Sequence, residues 1–402
     1  MASQINPPRG MRDFLPQEKA SRNDLLAKIV GSYASHGFQE IETPAMEAIE
    51  RLSSGDGGDN EKLAFRVLKR GEDLDQALDT NPEELADLGL RYDLTVPLTR
   101  FYATNHAKLP KVFKAIQTGP VWRAERPQKG RYRQFVQCDI DIIGDESGFA
   151  EIELLNASLN SLKAIGITDA KVRVNHRKLL TASIKALGVS DSDQSKAMIT
   201  IDKLDKVGVS GVQEEMKERF GDQVSEATAA WLNSLSTKAS VPKELEELFE
   251  AVGLLHPGAL RFDPTLVRGM GYYTGTIFEI EHPASGASIG GGGRYDGMVG
   301  KWLGVATPAV GISIGFERVA ELVADTKTSA KLLVLVFDLE NQTAALATQA
   351  EAIKAGYLVR LEPKPKKLNL LLETLKTQGF EHFAVLDEPK AGLKGLNIKP
   401  IG

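Results

Sequence analysis

The chain has 402 residues, with 49 Lys plus Arg against 54 Asp plus Glu and a formal net charge of −5. Apolar residues make up 42% and charged residues 26%, near the globular average, which excludes a disordered or collagen-like chain. Without bulk positive charge, any nucleic-acid contact must use a local patch. At about 150 residues per domain, two to three domains are expected. The N-terminal MASQINPPRG has no basic segment followed by an apolar core, so no secretory signal is expected. The apolar run at 332–337 is too short to span a bilayer. A single cysteine, Cys138, rules out an intrachain disulfide. The six histidines are scattered, with no HExxH or Cys/His cluster, so no zinc is expected. A cytoplasmic, multidomain enzyme or binding protein, without a membrane partner, is the expectation.

Residues 18–36 predict an amphipathic helix, with Leu25, Leu26, Ile29, Val30 and Tyr33 at helical spacing and Gly37 as its stop. Residues 38–42 alternate like a strand and stop at Thr43-Pro44. The glycine-rich SSGDGGDN at 53–60 predicts a mobile loop. In RYDLTVP, Arg91, Asp93 and Thr95 alternate with Tyr92, Leu94 and Val96, as in a half-buried strand. Residues 113–125 and 135–143 predict two strands. The loop between them, RPQKGRYRQ, is basic, with Arg126, Lys129, Arg131 and Arg133. One local connection favours an antiparallel hairpin over a βαβ crossover. Residues 177–255, with KLLTASIKALG, VQEEMKERF and KELEELFEAVG, read as a mostly helical insertion. Strand character returns over 266–281, followed by Gly290, Gly291, Gly292 and Gly293, a strand at 309–314 and a helix at 316–324. From 331 onward strands alternate with helices, which predicts a small parallel or mixed α/β domain.

Period-2 alternation sorts the second hairpin strand. Phe135, Gln137, Asp139 and Asp141 share one face; Val136, Cys138, Ile140 and Ile142 share the other. The polar face is either solvated or a binding surface. Arg123, which shares a side with Glu125, converging with Arg131 and Gln137 beside acids favours binding, because the arginine fork donates paired hydrogen bonds to phosphate. Arg268, in LVRGMGYYTGTIFEI, stands among apolar residues beside Gly269, Gly271, Tyr272 and Tyr273. It needs an anion or a salt-bridge partner to offset its desolvation. IGGGGRYDG fits neither GxGxxG nor a phosphate loop, but it lets backbone or ligand approach closely, which suits a pocket floor. Arg318 opens a helix after a strand in GISIGFERV. No Ser–His–acid spacing is present, and Cys138 lies on the apolar face. Arginines, carboxylates and tyrosines suit electrostatic handling of a phosphate and recognition of a polar small molecule.

Together these segments resemble class II aminoacyl-tRNA synthetases, and among them the histidyl-tRNA synthetase family. GFQEIETP is similar to the first class motif, at the dimer interface; RAERPQKGRYRQF to the second; GISIGFERV to the third. LVRGMGYYTGTIFEI resembles a signature of the histidyl enzymes, and PRGMRDFLP and GGGGRYDG add to the likeness, which runs from about residue 8 to 320. The resemblance implies an α+β architecture: a class II antiparallel sheet flanked by helices over 1–330, carrying the insertion at about 177–255. The α/β segment 331–402 resembles the anticodon-binding domain but ends earlier than usual, so a reduced last strand and helix are expected. The implied reaction joins L-histidine and ATP, with Mg2+, into histidyl-adenylate, then passes histidine to the 3′ end of histidine tRNA. A cytoplasmic homodimer is expected too, and a pocket that hydrogen-bonds both ring nitrogens should need no editing domain.

Roles follow position by position. The resemblance implies that Arg123 contacts the α-phosphate, Glu125 lies near the adenine and Arg131 reaches the distal phosphates. It implies that Phe135 and Arg318 sandwich the adenine, and that Arg268 bridges the histidine carboxylate and the α-phosphate. Asp93, Thr95 and Gln137 match positions holding the α-amino group; Asp141, Tyr273 and Tyr295, with Tyr272 beside them, match those around the imidazole. Asp93 and Asp141 stand where many bacterial members have Glu, as in the eukaryotic and archaeal branch. Gly271 replaces an acid common before the paired tyrosines. The alternative is a non-catalytic, histidine-sensing paralogue similar to the ATP phosphoribosyltransferase regulatory subunit, which usually lacks the last domain and the catalytic arginines. Arg123, Arg131, Arg268 and Arg318 favour catalysis.

Overall fold

A computed structural model describes residues 5–53, 62–81, 84–128, 130–235, 240–268, 271–323, 331–387 and 392–401. The loop expected at 53–60 lies, from residue 54 on, outside the described residues, as do Lys129 and Gly269. The chain divides into two units: residues 1–12 with 25–324, and residues 13–24 with 325–402.

Helix α1 (Pro16–Ser35) precedes β1 (Gln39–Glu40). A small antiparallel sheet follows, in the order β2 (Met46–Ala48), β4 (Ala86–Leu90), β3 (Arg66–Leu68), with α2 (Ile49–Leu52) and α3 (Glu72–Thr80) between its strands. After α4 (Thr95–Asn105) comes the expected hairpin, β5 (Phe113–Trp122) and β6 (Gln134–Ile143), antiparallel along its length. Then come α5 (Phe149–Ala164) and β7 (Lys171–His176). Between β7 and β8 (Leu260–Phe262) the chain forms α6 (Arg177–Ala186), α7 (Gln194–Ile201), α8 (Leu204–Phe220), α9 (Asp222–Ser234) and α10 (Lys243–Leu255). Strands β9 (Thr276–Glu281), β10 (Gly290–Arg294) and β11 (Ala309–Gly315) follow, with α11 (Asp296–Leu303) and α12 (Phe316–Leu322). The main sheet has the order β1-β5-β6-β11-β10-β9-β7-β8, with β5 through β9 pairing antiparallel.

One face of this sheet is aliphatic. Ile140, Ile312, Phe278 and Val174 lie in one cross-strand row and pack with Ile29 of α1, Leu154 of α5 and Val252 of α10, each essentially inaccessible to solvent. Each such side chain contributes roughly 1.5–3 kcal/mol by leaving water. Cys138 belongs to this core. The insertion has an apolar cluster of its own around Leu180, Met198, Val212 and Met216.

Three strand expectations are corrected. RYDLTVP is not a strand: Arg91 to Leu94 are irregular and Thr95 starts α4. Asp93 Oδ1 accepts the Val96 N–H at 3.1 Å, capping the helix start. Pro97 has no N–H to give a ladder but is tolerated in a first helical turn. The described residues of 266–275 are in no strand either, and strand begins at Thr276; Arg268 takes a left-handed φ of 60°. Finally, β5 ends at Trp122, so Arg123 and Glu125 belong to the hairpin loop.

In the second unit, β12 (Lys331–Phe337), β13 (Tyr357–Pro363) and β14 (His382–Leu386) are parallel, with β15 (Lys399–Pro400) antiparallel at the edge. Alternation along β12 separates Leu333 and Leu335, packed with Ala345 and Ala352 of α13 (Gln342–Lys354), from Val334 and Val336, packed with Leu375 of α14 (Leu368–Thr377). This is the mixed α/β pattern read from the sequence. No described helix is long and apolar enough to cross a membrane.

Candidate active site

Opposite the aliphatic face, polar residues line up across strands. Gln117, Asp139, Ser313, Gly291, Glu279 and Arg173 are successive partners on β5, β6, β11, β10, β9 and β7. The next row runs Ala115, Asp141, Gly311, Gly293 and Ile277. Side chains directly opposite on paired strands share a face, so glycines here make room for long neighbours. A Cβ on Gly291 would stand 2.6 Å from Arg268 Nη1, and one on Gly293 would stand 2.9 Å from the Tyr273 ring. One on Gly311 would overlap the Asp141 carboxylate. The glycine run is therefore a central strand whose missing side chains leave a floor, as its spacing suggested.

Above this floor lies a cavity of about 610 Å³, within the range of small-molecule sites. Every site residue named from the sequence lines it. One set of lining residues is the arginines. Arg123 donates Nε–H to the Tyr92 carbonyl at 3.0 Å and sits over the Phe135 ring at 5.1 Å. Arg131 pairs with Glu125 at 3.3 Å. Arg318 is bonded to the Ser288 carbonyl. The loop between β5 and β6 is braced from the N-terminus. Arg133 donates its N–H to the Gly10 carbonyl at 2.8 Å, Arg12 pairs with Glu317 and lies over the Tyr132 ring at 3.7 Å. That gives PRGMRDFLP a physical task.

A second set of lining residues is the acids and tyrosines. The Tyr295 hydroxyl donates to Asp141 Oδ1 at 2.6 Å. Tyr272 meets Tyr273 and Tyr295 edge-on, at 4.8 and 6.0 Å between centroids. Gln137 donates Nε2–H to Ser313 Oγ at 2.8 Å, which turns its carbonyl oxygen away. Three buried polar atoms here have no hydrogen-bond partner: Asp93 Oδ2, Gln137 Oε1 and Arg268 Nε. Leaving such groups unpaired is unfavourable by about 1–3 kcal/mol each, more for charged ones. Two orphaned acceptors and one orphaned cationic donor suit a zwitterion: an ammonium for the first pair, a carboxylate for the arginine.

Burial pushes the Asp93 carboxyl up to about 6, against the Val96 N–H bond and Arg123. Burial pushes Asp141 up to about 7, with Asp93 adding to the effect and the Tyr295 hydroxyl opposing it. Asp139 is raised well above the carboxylate range by burial and by Asp141. The folded chain therefore binds more protons than the unfolded one from about pH 4 to about pH 7, and these groups lower stability as pH rises through that window. Urea unfolding of the ligand-free chain should show it. The stability of the parent relative to the Asp93→Asn, Asp141→Asn double variant should fall between about pH 4 and about pH 7. A difference that rises would contradict the raised values.

The profile of the family described as histidyl-tRNA synthetase matches residues 10–319. The histidine–tRNA ligase of Leifsonia xyli is 48% identical over 429 aligned residues, covering 100% of this chain and 99% of that protein. The chain belongs to the histidyl-tRNA synthetase family. A more distant member, the histidine–tRNA ligase of Aeropyrum pernix, is 37% identical over 380 residues, covering 89% of this chain and 84% of that protein. The crystal structure of histidyl-tRNA synthetase from Nostoc superposes with a TM-score of 0.76 at 27% identity, covering 98% and 96% of the two chains. A Bacillus halodurans structure described as an ATP phosphoribosyltransferase regulatory subunit/histidyl-tRNA synthetase gives 0.74 at 20% identity, covering 92% and 96%, a likeness of fold alone.

The synthetase-type match spans every residue lining the cavity. Sequence reasoning assigned no role to several lining residues, among them Asp139, Ser313, Glu279 and Arg173. Glu279 had a signal, a charged residue between Phe278 and Ile280 in a strand. Arg173 had the same one, between Val172 and Val174. The Arg91 of RYDLTVP is structural. Its guanidinium donates to the Thr43 carbonyl at 2.7 Å and the Pro120 carbonyl at 3.0 Å.

Proposed function

We propose that the chain is a histidine–tRNA ligase. It activates L-histidine with ATP, which enters as its magnesium complex, and passes histidine to the 3′ end of histidine tRNA. The observation that carries this reading is the pairing of orphaned acceptors, Asp93 Oδ2 and Gln137 Oε1, with the orphaned Arg268 Nε in one cavity. In the first step a carboxylate oxygen of histidine bonds to the α-phosphorus as the bond to pyrophosphate breaks. No protein nucleophile is needed, so positioning and charge carry the catalysis. Asp93, Thr95 and Gln137 take the ammonium. Arg268 and Arg123 take the negative charge that builds on the carboxylate and α-phosphate. Glu125, Arg131, Phe135 and Arg318 hold the nucleotide. Asp141, Tyr295 and Tyr273 face the imidazole, with Tyr272 packed between the tyrosines.

The test is charging of a histidine tRNA transcript with labelled histidine. Charging that depends on ATP and on this tRNA supports the reading, and histidine binding without charging favours the sensing paralogue. Residues 331–402 hold ten Lys plus Arg and eight Asp plus Glu, a local net of +2. We assign them to the tRNA. Removing them should lower charging by at least about tenfold, while pyrophosphate exchange stays within about threefold. Loss of both would make the segment structural. The active form is proposed to be a cytoplasmic homodimer, as closed two-fold pairing is the commonest assembly; a monomeric mass at micromolar concentration in light scattering would refute it.

A further inference from the structure

We propose that Glu279 is a positioning residue for Arg268, and that Arg173 ties it to Asp205 in the helical insertion, so that the seating of the insertion sets the arginine at the reacting centre. The inference rests on the role given to Arg268 above.

Arg268 is not held by a strand ladder. Its backbone is left-handed, with φ 60°, and it lies outside the strands, before β9. Its side chain is held instead. The guanidinium occupies the space over Gly291, where a Cβ would stand 2.6 Å away, and donates through Nη1 to Glu279 Oε2 at 2.9 Å. With Nη1 taken by Glu279 and Nε unpartnered, the remaining edge of the fork is left for an anion.

The other oxygen of Glu279 is not idle. Oε1 accepts from Arg173 Nη1 at 3.2 Å, across the β7–β9 pair. Arg173, itself buried, also pairs with Asp263 and Asp205 at 2.7 Å each, and with Glu281 at 3.3 Å. Asp263 and Glu281 have a second cation in Arg261, at 3.9 and 3.1 Å. Asp205 differs: it comes from the first turn of α8, and its side chain is 69% exposed. Asp202, Leu204 and Lys206 beside it line the cavity. Gly208, with φ 68° and ψ 180°, breaks α8 just after this turn, so residues 204–207 are separated from the rest of the helix. The result is a ladder of alternating charge, Asp205, Arg173, Glu279, Arg268, running from the insertion to the cavity. When Asp205 lets go, Arg173 has one fewer carboxylate, draws Glu279 toward itself and loosens its hold on Arg268.

The test uses the full chain, with Asp205→Asn, Glu279→Gln and both together. Histidine-dependent ATP–pyrophosphate exchange gives kcat and the KM for ATP, and thermal unfolding reports the fold. Glu279→Gln should lower kcat by about 10- to 100-fold with KM for ATP within about threefold, since small misplacements of a catalytic group have effects of that size. Asp205→Asn should lower kcat by about 3- to 10-fold, and the double variant should be no slower than Glu279→Gln by more than about twofold, because both act through one contact. A lowered unfolding temperature with the parent kcat would mean that Glu279 is only structural, and the proposal would fall. Parent kcat in Asp205→Asn, or additive losses in the double variant, would remove the link to the insertion. Asp205 is exposed, so its variant remains informative if Glu279→Gln fails to fold. A parent chain without exchange would sink the proposed function and this inference with it. An active parent matched by Glu279→Gln would sink the inference alone.

Discussion

Arg268→Ala should lower histidine-dependent ATP–pyrophosphate exchange by about 10²–10³-fold, with ATP affinity changed by less than about threefold. The reason is geometric. Arg268 is fixed before substrate arrives, by Glu279 at 2.9 Å and by the space over Gly291. A preorganised charge of this kind acts on what develops in the transition state more than on what is bound in the ground state. Arg268→Lys should recover little, because a point charge cannot reproduce a fork that is held on one nitrogen and offered on the others. Exchange near the parent rate in Arg268→Ala would remove this residue from the mechanism.

Asp141→Asn should raise the KM for histidine by about 10- to 100-fold and slow activation, while leaving the KM for ATP within about threefold. Asp141 accepts the Tyr295 hydroxyl at 2.6 Å and is nearly inaccessible to solvent. An amide in its place keeps the shape but turns one acceptor into a donor, which faces either the tyrosine hydroxyl or the ring N–H of the substrate. A site built on hydrogen bonds rejects analogues lacking the polar group by about 10⁴ or more, because its own buried groups are left unpaired. That is why no separate editing site is needed for histidine. Unchanged histidine kinetics in Asp141→Asn would move the imidazole away from this face, toward Asp93 and Asp139.

The two predictions draw on features that were unequally visible in the sequence. The hairpin was legible because period-2 alternation over residues 136–142 separates apolar from polar, and only one local loop joins its strands. The glycine run was legible as a floor because four glycines have no better use next to a strand. What the sequence hid was register. Nothing local says that Gly291 pairs with Glu279 on one side and Ser313 on the other, or that the gap it leaves is filled by Arg268. The same blindness explains RYDLTVP. Its alternation is real, but the Asp93 cap on Val96 N–H and the proline in the first turn outweigh it, and the segment becomes a helix start. Arg268 was legible as an arginine in need of a partner, but Glu279 as that partner was not, since their contact depends on a left-handed residue that no pattern announces.

The most direct measurement is ATP–pyrophosphate exchange by the full chain, with each of the standard amino acids supplied in turn. Histidine alone should support exchange, with every other amino acid lower by at least about 10³-fold. Exchange driven by a different amino acid, or histidine binding with no exchange, would contradict the account.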